Sequence, residues 1–292
     1  MNYWEVSLMD CQIKITDNKA VWKIQAALAL IFLLNPFLGV LSTLFFVFVS
    51  KEKSMAFYLV IILTLFMWCL QSTRSFHLGE PSDWAGNYYY NFHNAAITDT
   101  LTYLFFTTKE YAWQAFNLIG YYLFDGDFLS YANFIVALTY MFTFAAIYKF
   151  WNYIQADPRF LVASLCLFAF VTEVNGICNN LLRQQFAMSM MLYAIIERCT
   201  NGRILYPLLV ISFFTHTMTG FFIPFLFIRL GKKASFRFYI YIVLGFGLLY
   251  ILFTNLSIFS SSSFYAFQRL ATASNAYALK DIIQPSAVYP FL

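Results

Sequence analysis

Charged residues are scarce in this sequence. Asp, Glu, Lys and Arg make up 11% of its 292 residues, where a soluble domain typically carries about 25%. With 61% hydrophobic and 22% aromatic residues, the chain lacks the polar surface of a soluble domain. Its apolar runs are too many and too long for one buried core. The 18 basic against 14 acidic residues leave a net charge of +4, which fits basic cytoplasmic loops and gives no footprint for nucleic acid. Cysteine is sparse and scattered. Cys11, Cys69, Cys166, Cys178 and Cys199 stand singly, so neither a disulfide framework nor a zinc site is indicated. A P-loop, a GxSxG elbow and an HExxH helix are all absent. No repeat of fixed period is evident. Residues 1–24 have no small-residue cleavage site of the secretory kind, so the first membrane segment is expected to direct insertion itself.

What is present reads as an all-α, polytopic integral membrane protein with about 7–10 membrane segments, re-entrant or half-helices included. Residues 1–258 form a single transmembrane domain in this reading, and 259–292 a polar tail. Residues 26–49 are long enough for one span, kinked at Asn35-Pro36. A second span covers 55–71. A large polar loop follows at about 72–110. Residues 111–124 are too short to cross and rich in Trp and Tyr, which suits an interfacial or re-entrant helix. Asp125-Gly126-Asp127 breaks the chain; it spells a DxD pair but equally suits a turn. Phe128–Phe150 is a clear span, Phe160–Val174 and Leu181–Ile196 flank an Asn-rich turn, and Phe238–Ile258 is the last clear span.

Basic residues set the orientation. With Lys51, Lys53, Lys149, Arg159, Arg198 and Arg203 in the cytoplasm, the 72–110 loop and the Asn175–Arg183 turn face outward together. A single crossing by residues 204–228 would carry Arg229, Lys232, Lys233 and Arg237 outside, against the bias. Thr215-His216-Thr217 and Gly220 can instead divide that segment into a hairpin of two half-helices, which returns the basic loop to the cytoplasm. Lys14, Lys19 and Lys23 raise the same conflict at the first span, and Asn35-Pro36 permits the same remedy.

The most informative stretch is Asn175–Tyr193. On a helix Asn180, Arg183, Gln184, Ala187 and Met191 share one face. An arginine in hydrocarbon costs about 2.5–3.5 kcal/mol on insertion scales, so it normally faces a wet or protein-lined cavity. Snorkelling to the headgroups is the plainer alternative, but the flanking amides argue for a polar pocket. Three polar clusters then meet on the outer side. Arg74, Asp83 and Tyr88 form the first; Glu173, Asn175, Asn179, Asn180, Arg183 and Gln184 the second; His216 the third. Guanidinium forks match phosphate oxygens, while Tyr and Asn suit sugar hydroxyls. Each has a bland alternative: Arg74 as a loop arginine, Asp83 as a solvated carboxylate, His216 as a packing hydrogen bond. His77, Glu80 and Asp83 have no partner cluster, and Pro81 interrupts any helix there, so they are weak as metal ligands.

Arg74…Asp83…Tyr88 after the second span, Asn180-Leu-Leu-Arg183-Gln184-Gln-Phe-Ala187 heading a helix, and His216 in the next apolar segment resemble the EpsG family of Wzy-type polysaccharide polymerases. The resemblance spans roughly Ile61–Ile228. The family's usual Gly-Asp pairing reads Ser82-Asp83 here, and the chain is short at its C-terminus for the family. That shortness implies either missing final spans or a shortened relative. The resemblance implies a GT-C-like, multi-pass enzyme of the bacterial cytoplasmic membrane. It would transfer glycan from one undecaprenyl-diphosphate carrier onto another lipid-linked repeat unit, building capsular or exopolysaccharide, alone or with other polysaccharide-assembly proteins. Arg183 would be the principal diphosphate contact and Arg74 the second. His216 would assist the leaving group or deprotonate the acceptor. Asn180 and Gln184 would hold the arginine and bind sugar, with Asn179, Glu173, Asp83 and Tyr88 completing the substrate site. No metal or other cofactor is required by this scheme.

Other classes share the composition. A transporter of lipid-linked oligosaccharide could bury an arginine, but its fold usually shows internal repeats. A membrane acyltransferase would also place a histidine in the membrane, with a thioester donor. A non-enzymatic assembly subunit is the remaining class. Accumulation of single lipid-linked units on deletion marks the polymerase, and accumulation on the cytoplasmic leaflet alone marks the transporter.

Overall fold

The computed structural model describes residues 18–50, 53–73, 84–97, 110–171 and 181–227, all within one compact unit, Met1–Arg229. The described residues are helical and contain no strand. Helices α1 (Asn18–Leu34) and α2 (Pro36–Ser50) replace the expected single span over 26–49. Proline at the first position of α2 cannot continue α1's hydrogen bonding, and the Asn35 side chain caps the new helix by accepting from Leu38 N at 3.1 Å. At Gly39 a Cβ would collide with the backbone of Phe32, so the two helices approach here more closely than any side chain allows.

The break is a reversal rather than a bend. Tyr58 Oη donates to Gln25 O at 2.9 Å, and Gln25 Nε2 reaches Ser54 O at 3.5 Å. Both partners lie at the start of α3 (Lys53–Ser72). Helix α2 rises about 22 Å between Asn35 and that point, so Gln25 can meet it only if α1 folds back alongside. Lys23 therefore sits at the end where α3 begins. For Lys23 the conflict is relieved by the hairpin that Asn35-Pro36 allowed, while Lys14 lies outside the described residues.

After a π-helical turn (Trp84–Tyr88), α4 (Tyr89–Ile97) and α5 (Tyr111–Leu123) pack together. The chain then turns at Asp125-Gly126, both at positive φ, and Asp127 caps α6 (Phe128–Ile154) by accepting from Leu129 N and Ser130 N. The DxD spelling is thus a turn and a cap. Helix α3 runs antiparallel to α6, with Phe57 against Tyr148. Helix α7 (Pro158–Phe170) starts at Asp157-Pro158, a cap followed by proline at the first position, and returns beside α3, where Phe170 meets Phe66.

Helix α8 (Leu182–Asn201) lies parallel to α6. Phe142 touches both Phe186 and Tyr193, and Lys149 bonds Glu197, 48 residues later. By that register Arg183 stands level with Ile135, about 10 Å along α6 from its first residue. Helix α9 (Tyr206–Thr215) climbs back beside α8, with Ser212 Oγ donating to Ala187 O at 2.8 Å. At His216 the backbone is extended (φ −153°, ψ 112°). A 3₁₀ segment, Thr217–Phe227, then descends until Leu226 O accepts from Arg198 Nε at 3.1 Å. Residues 206–227 thus form the hairpin that the basic loop required, with His216 at its apex.

Two described helices, Ser54–Ser72 and Phe128–Ile154, are long and apolar enough to cross a membrane, and four shorter apolar helices accompany them. Large apolar side chains are exposed along α1, α2 and α7, among them Leu33 and Leu34 at 81% and Phe45 at 70%. A water-soluble monomer rarely presents so continuous an apolar surface.

Candidate functional site

Three chain segments converge where α5, α8 and the His216 hairpin meet. Glu110 immediately precedes α5, Arg183 occupies the first turn of α8, and His216 caps α9. The Glu110 carboxylate bridges the other two. Oε2 takes the Arg183 guanidinium at Nη1, and Oε1 accepts from His216 Nδ1 at 2.8 Å. An ionised carboxylate can only accept, so Nδ1 carries a proton, and in a neutral imidazole the second ring nitrogen is then the acceptor. The side chains of Glu110 and His216 are 14% exposed and that of Arg183 24%. The three side chains are therefore mostly enclosed by protein yet remain reachable.

The setting of Arg183 argues against snorkelling. Ala187 and Met191, on the same helix face, are fully buried, so this face points into the protein. Arg183 Nε is buried and has no hydrogen-bond partner among the described residues. An ionic donor in that condition is costly, and a ligand oxygen would relieve it.

Of the residues expected at the site, the structure brings Arg183 and His216 together, through a residue the sequence reading left in the polar loop. Glu110 holds the arginine; of the two residues expected to do so, Asn180 lies outside the described residues. Gln184 is partly buried, and its amide reaches Met188 Sδ at 4.0 Å. Tyr88 is buried with its ring 5.8 Å from that of Trp113, one turn beyond Glu110. Arg74, Asp83, Glu173, Asn175, Asn179 and Asn180 lie outside the described residues. Among the described residues no cluster of three His, Cys, Asp or Glu side chains could hold a metal ion.

A polar stripe continues from Glu110 along α5. Gln114 and Asn117 follow at i+4 and i+7 and are 1% exposed. Asn117 Nδ2 donates to Gln114 Oε1 at 3.3 Å, and Tyr131 Oη donates to Asn117 Oδ1 at 2.9 Å. The Tyr131 ring fills the space a Cβ would need at Gly120. The stripe pins α5 to α6 and so fixes where Glu110 stands. A cavity of about 550 Å³ opens at the opposite ends of α6 and α8, beside Tyr148, Lys149 and Tyr193. Its ion pair is internally satisfied: Glu197 takes Lys149 on one oxygen and Asn201 Nδ2 on the other. That pairing is structural, and Arg183, whose buried Nε has no partner among the described residues, lies at the other end.

An all-helical protein with lipid-compatible helices and an arginine–carboxylate–histidine junction at their buried ends is the class defined so far. The EpsG family model matches residues 57–282, more than half of the chain, and the protein belongs to the EpsG family. Membership implies a polysaccharide-polymerase-like membrane protein. No curated protein and no solved structure matches the chain.

Proposed function

We propose that this chain is a multi-pass glycosyltransferase of the bacterial cytoplasmic membrane, GT-C-like in plan. It joins undecaprenyl-diphosphate-linked oligosaccharide units into capsular or exopolysaccharide. The observation that supports this most directly is the junction of Arg183 with His216 at the inward face of α8. The donor's leaving group is a diphosphate already held at the bilayer, so its growing negative charge calls for a fixed cation there. A guanidinium offers the bidentate fork that phosphate oxygens fit. An imidazole with one free nitrogen beside it can take the acceptor hydroxyl's proton, a task worth about 10²–10⁴-fold in rate. With the basic helix ends inside, the junction faces outward. Arg74, Asn179, Asn180, Glu173, Asp83, Tyr88 and Gln184 complete the substrate site in this proposal, with no metal taking part.

Polysaccharide ladders from cells test the reading. Arg183→Ala should abolish long chains, and Arg183→Lys, which keeps the charge and loses the fork, should shorten them severely. Wild-type ladders from both proteins, inserted at normal levels, would remove the basis for the assignment.

A further inference from the structure

We propose that Glu110 couples donor binding to acceptor activation: it occupies the phosphate position on Arg183 until the donor displaces it, and then serves His216. This rests on the diphosphate reading of Arg183 above. The geometry supplies both halves. One oxygen of Glu110 already sits on the Arg183 guanidinium, where a phosphate oxygen would bind, and the other holds His216 Nδ1 at 2.8 Å. A carboxylate and a dianionic diphosphate compete for the same fork, and two anions do not share one guanidinium at low cost. Arg183 Nε, buried without a partner among the described residues, gives the diphosphate a further donor. Displacement therefore gives that buried N–H a partner.

Released from Arg183, Glu110 remains beside the imidazole. The acceptor hydroxyl oxygen forms its bond to the donor's anomeric carbon, and the bond from that carbon to the diphosphate oxygen breaks. The electron pair leaves on the diphosphate, which Arg183 holds. The hydroxyl proton passes to the free ring nitrogen of His216, and Glu110 stabilises the resulting imidazolium. With the carboxylate on Arg183, its charge is shared and less of it is available to stabilise an imidazolium. Acceptor activation thus waits for a donor. Glu110 is a positioning residue in this scheme, since it acts through Arg183 and His216.

The test pairs binding with turnover in the full-length protein. Farnesyl diphosphate serves as the probe in detergent micelles, with farnesol as the uncharged control, and ladders report activity. Glu110→Gln should bind farnesyl diphosphate about 10- to 100-fold more tightly than wild type, leave farnesol unchanged, and lose long chains. In an Arg183→Ala background the same substitution should give no tightening. Glu110→Asp, a milder change in case the amide misfolds, is one methylene too short to bridge both partners and should tighten binding less while still shortening ladders. Unchanged or weaker binding by folded Glu110→Gln overturns the proposal, and so do normal ladders. In either case loss of binding in Arg183→Ala alone keeps the diphosphate reading. If Arg183→Ala binds the probe as wild type does, that reading fails and takes the coupling with it.

Discussion

Replacing Arg183 with methionine keeps most of the side-chain volume and takes the guanidinium away from the Glu110 carboxylate, which is 14% exposed. Two unit charges about 4 Å apart at an effective dielectric near 20 attract by about 4 kcal/mol. The Arg183 side chain is 24% exposed, which screens the pair, so a coupling of about 2 kcal/mol is expected. Breaking a fully buried pair from one side costs about 3–5 kcal/mol. Here His216 stays on Oε1 and softens the loss to about 2–3 kcal/mol, or roughly 5–10 °C in unfolding midpoint for a unit of this size. Glu110→Gln alone should cost a similar amount by stranding the guanidinium. The double variant, with both charges gone, should be less destabilised than the sum of the two by about 2 kcal/mol. Thermal unfolding in one detergent, followed by tryptophan fluorescence, measures all four proteins. Additive losses, within about 0.5 kcal/mol, would show that the two side chains do not pair and would remove the junction from which the site is built.

Two further outcomes follow from the helix contacts. Gly120→Ala gains about 1 kcal/mol of helix propensity but drives a methyl into the Tyr131 ring; overpacking of about 1–3 kcal/mol should win, and the unfolding midpoint should fall. In a chain freed of its five native cysteines, Tyr206→Cys and Phe225→Cys should react with a membrane-impermeant maleimide from the same side of the membrane, and His216→Cys should resist both sides until the membrane is dissolved. Labelling of the first two from opposite sides would eliminate the hairpin.

Much of this arrangement was legible in local chemistry. Asn35-Pro36 carries its own cap and its own missing N–H, so a helix boundary there needs no tertiary help. The run of Thr215, His216 and Thr217 inside an apolar segment, set against the lysines that follow, pointed to the hairpin through charge balance alone. The face shared by Arg183, Ala187 and Met191 was visible as spacing, and burial of the last two bears out its inward direction. Glu110 was not visible, for a physical reason. Its partners lie on two other segments, one of them 106 residues away, and no spacing rule connects residues that only packing brings together. The one local hint was the stripe Glu110, Gln114 and Asn117 on a helix otherwise rich in aromatic residues; a polar face on an interfacial helix reads equally well as a face turned to water. Apolar length over 26–49 did not by itself distinguish a crossing from a return; the lysines before it, set against Asn35-Pro36, supplied the hairpin as the alternative.

Helices α6 and α7 are neighbours of very different length, 27 and 13 residues, or about 40 and 20 Å. The hydrocarbon layer is about 30 Å thick, so one helix overshoots it while the other falls short. Where both helices cross a bilayer, lipids beside α6 would have to stretch or the helix to tilt, while those beside α7 would have to compress, each at a fraction of a kcal/mol per Å of mismatch. Acyl-chain length thereby becomes a mechanical variable for this fold. Thick membranes would strain the α7 flank and thin ones the α6 flank, leaving an intermediate thickness at which both are least deformed.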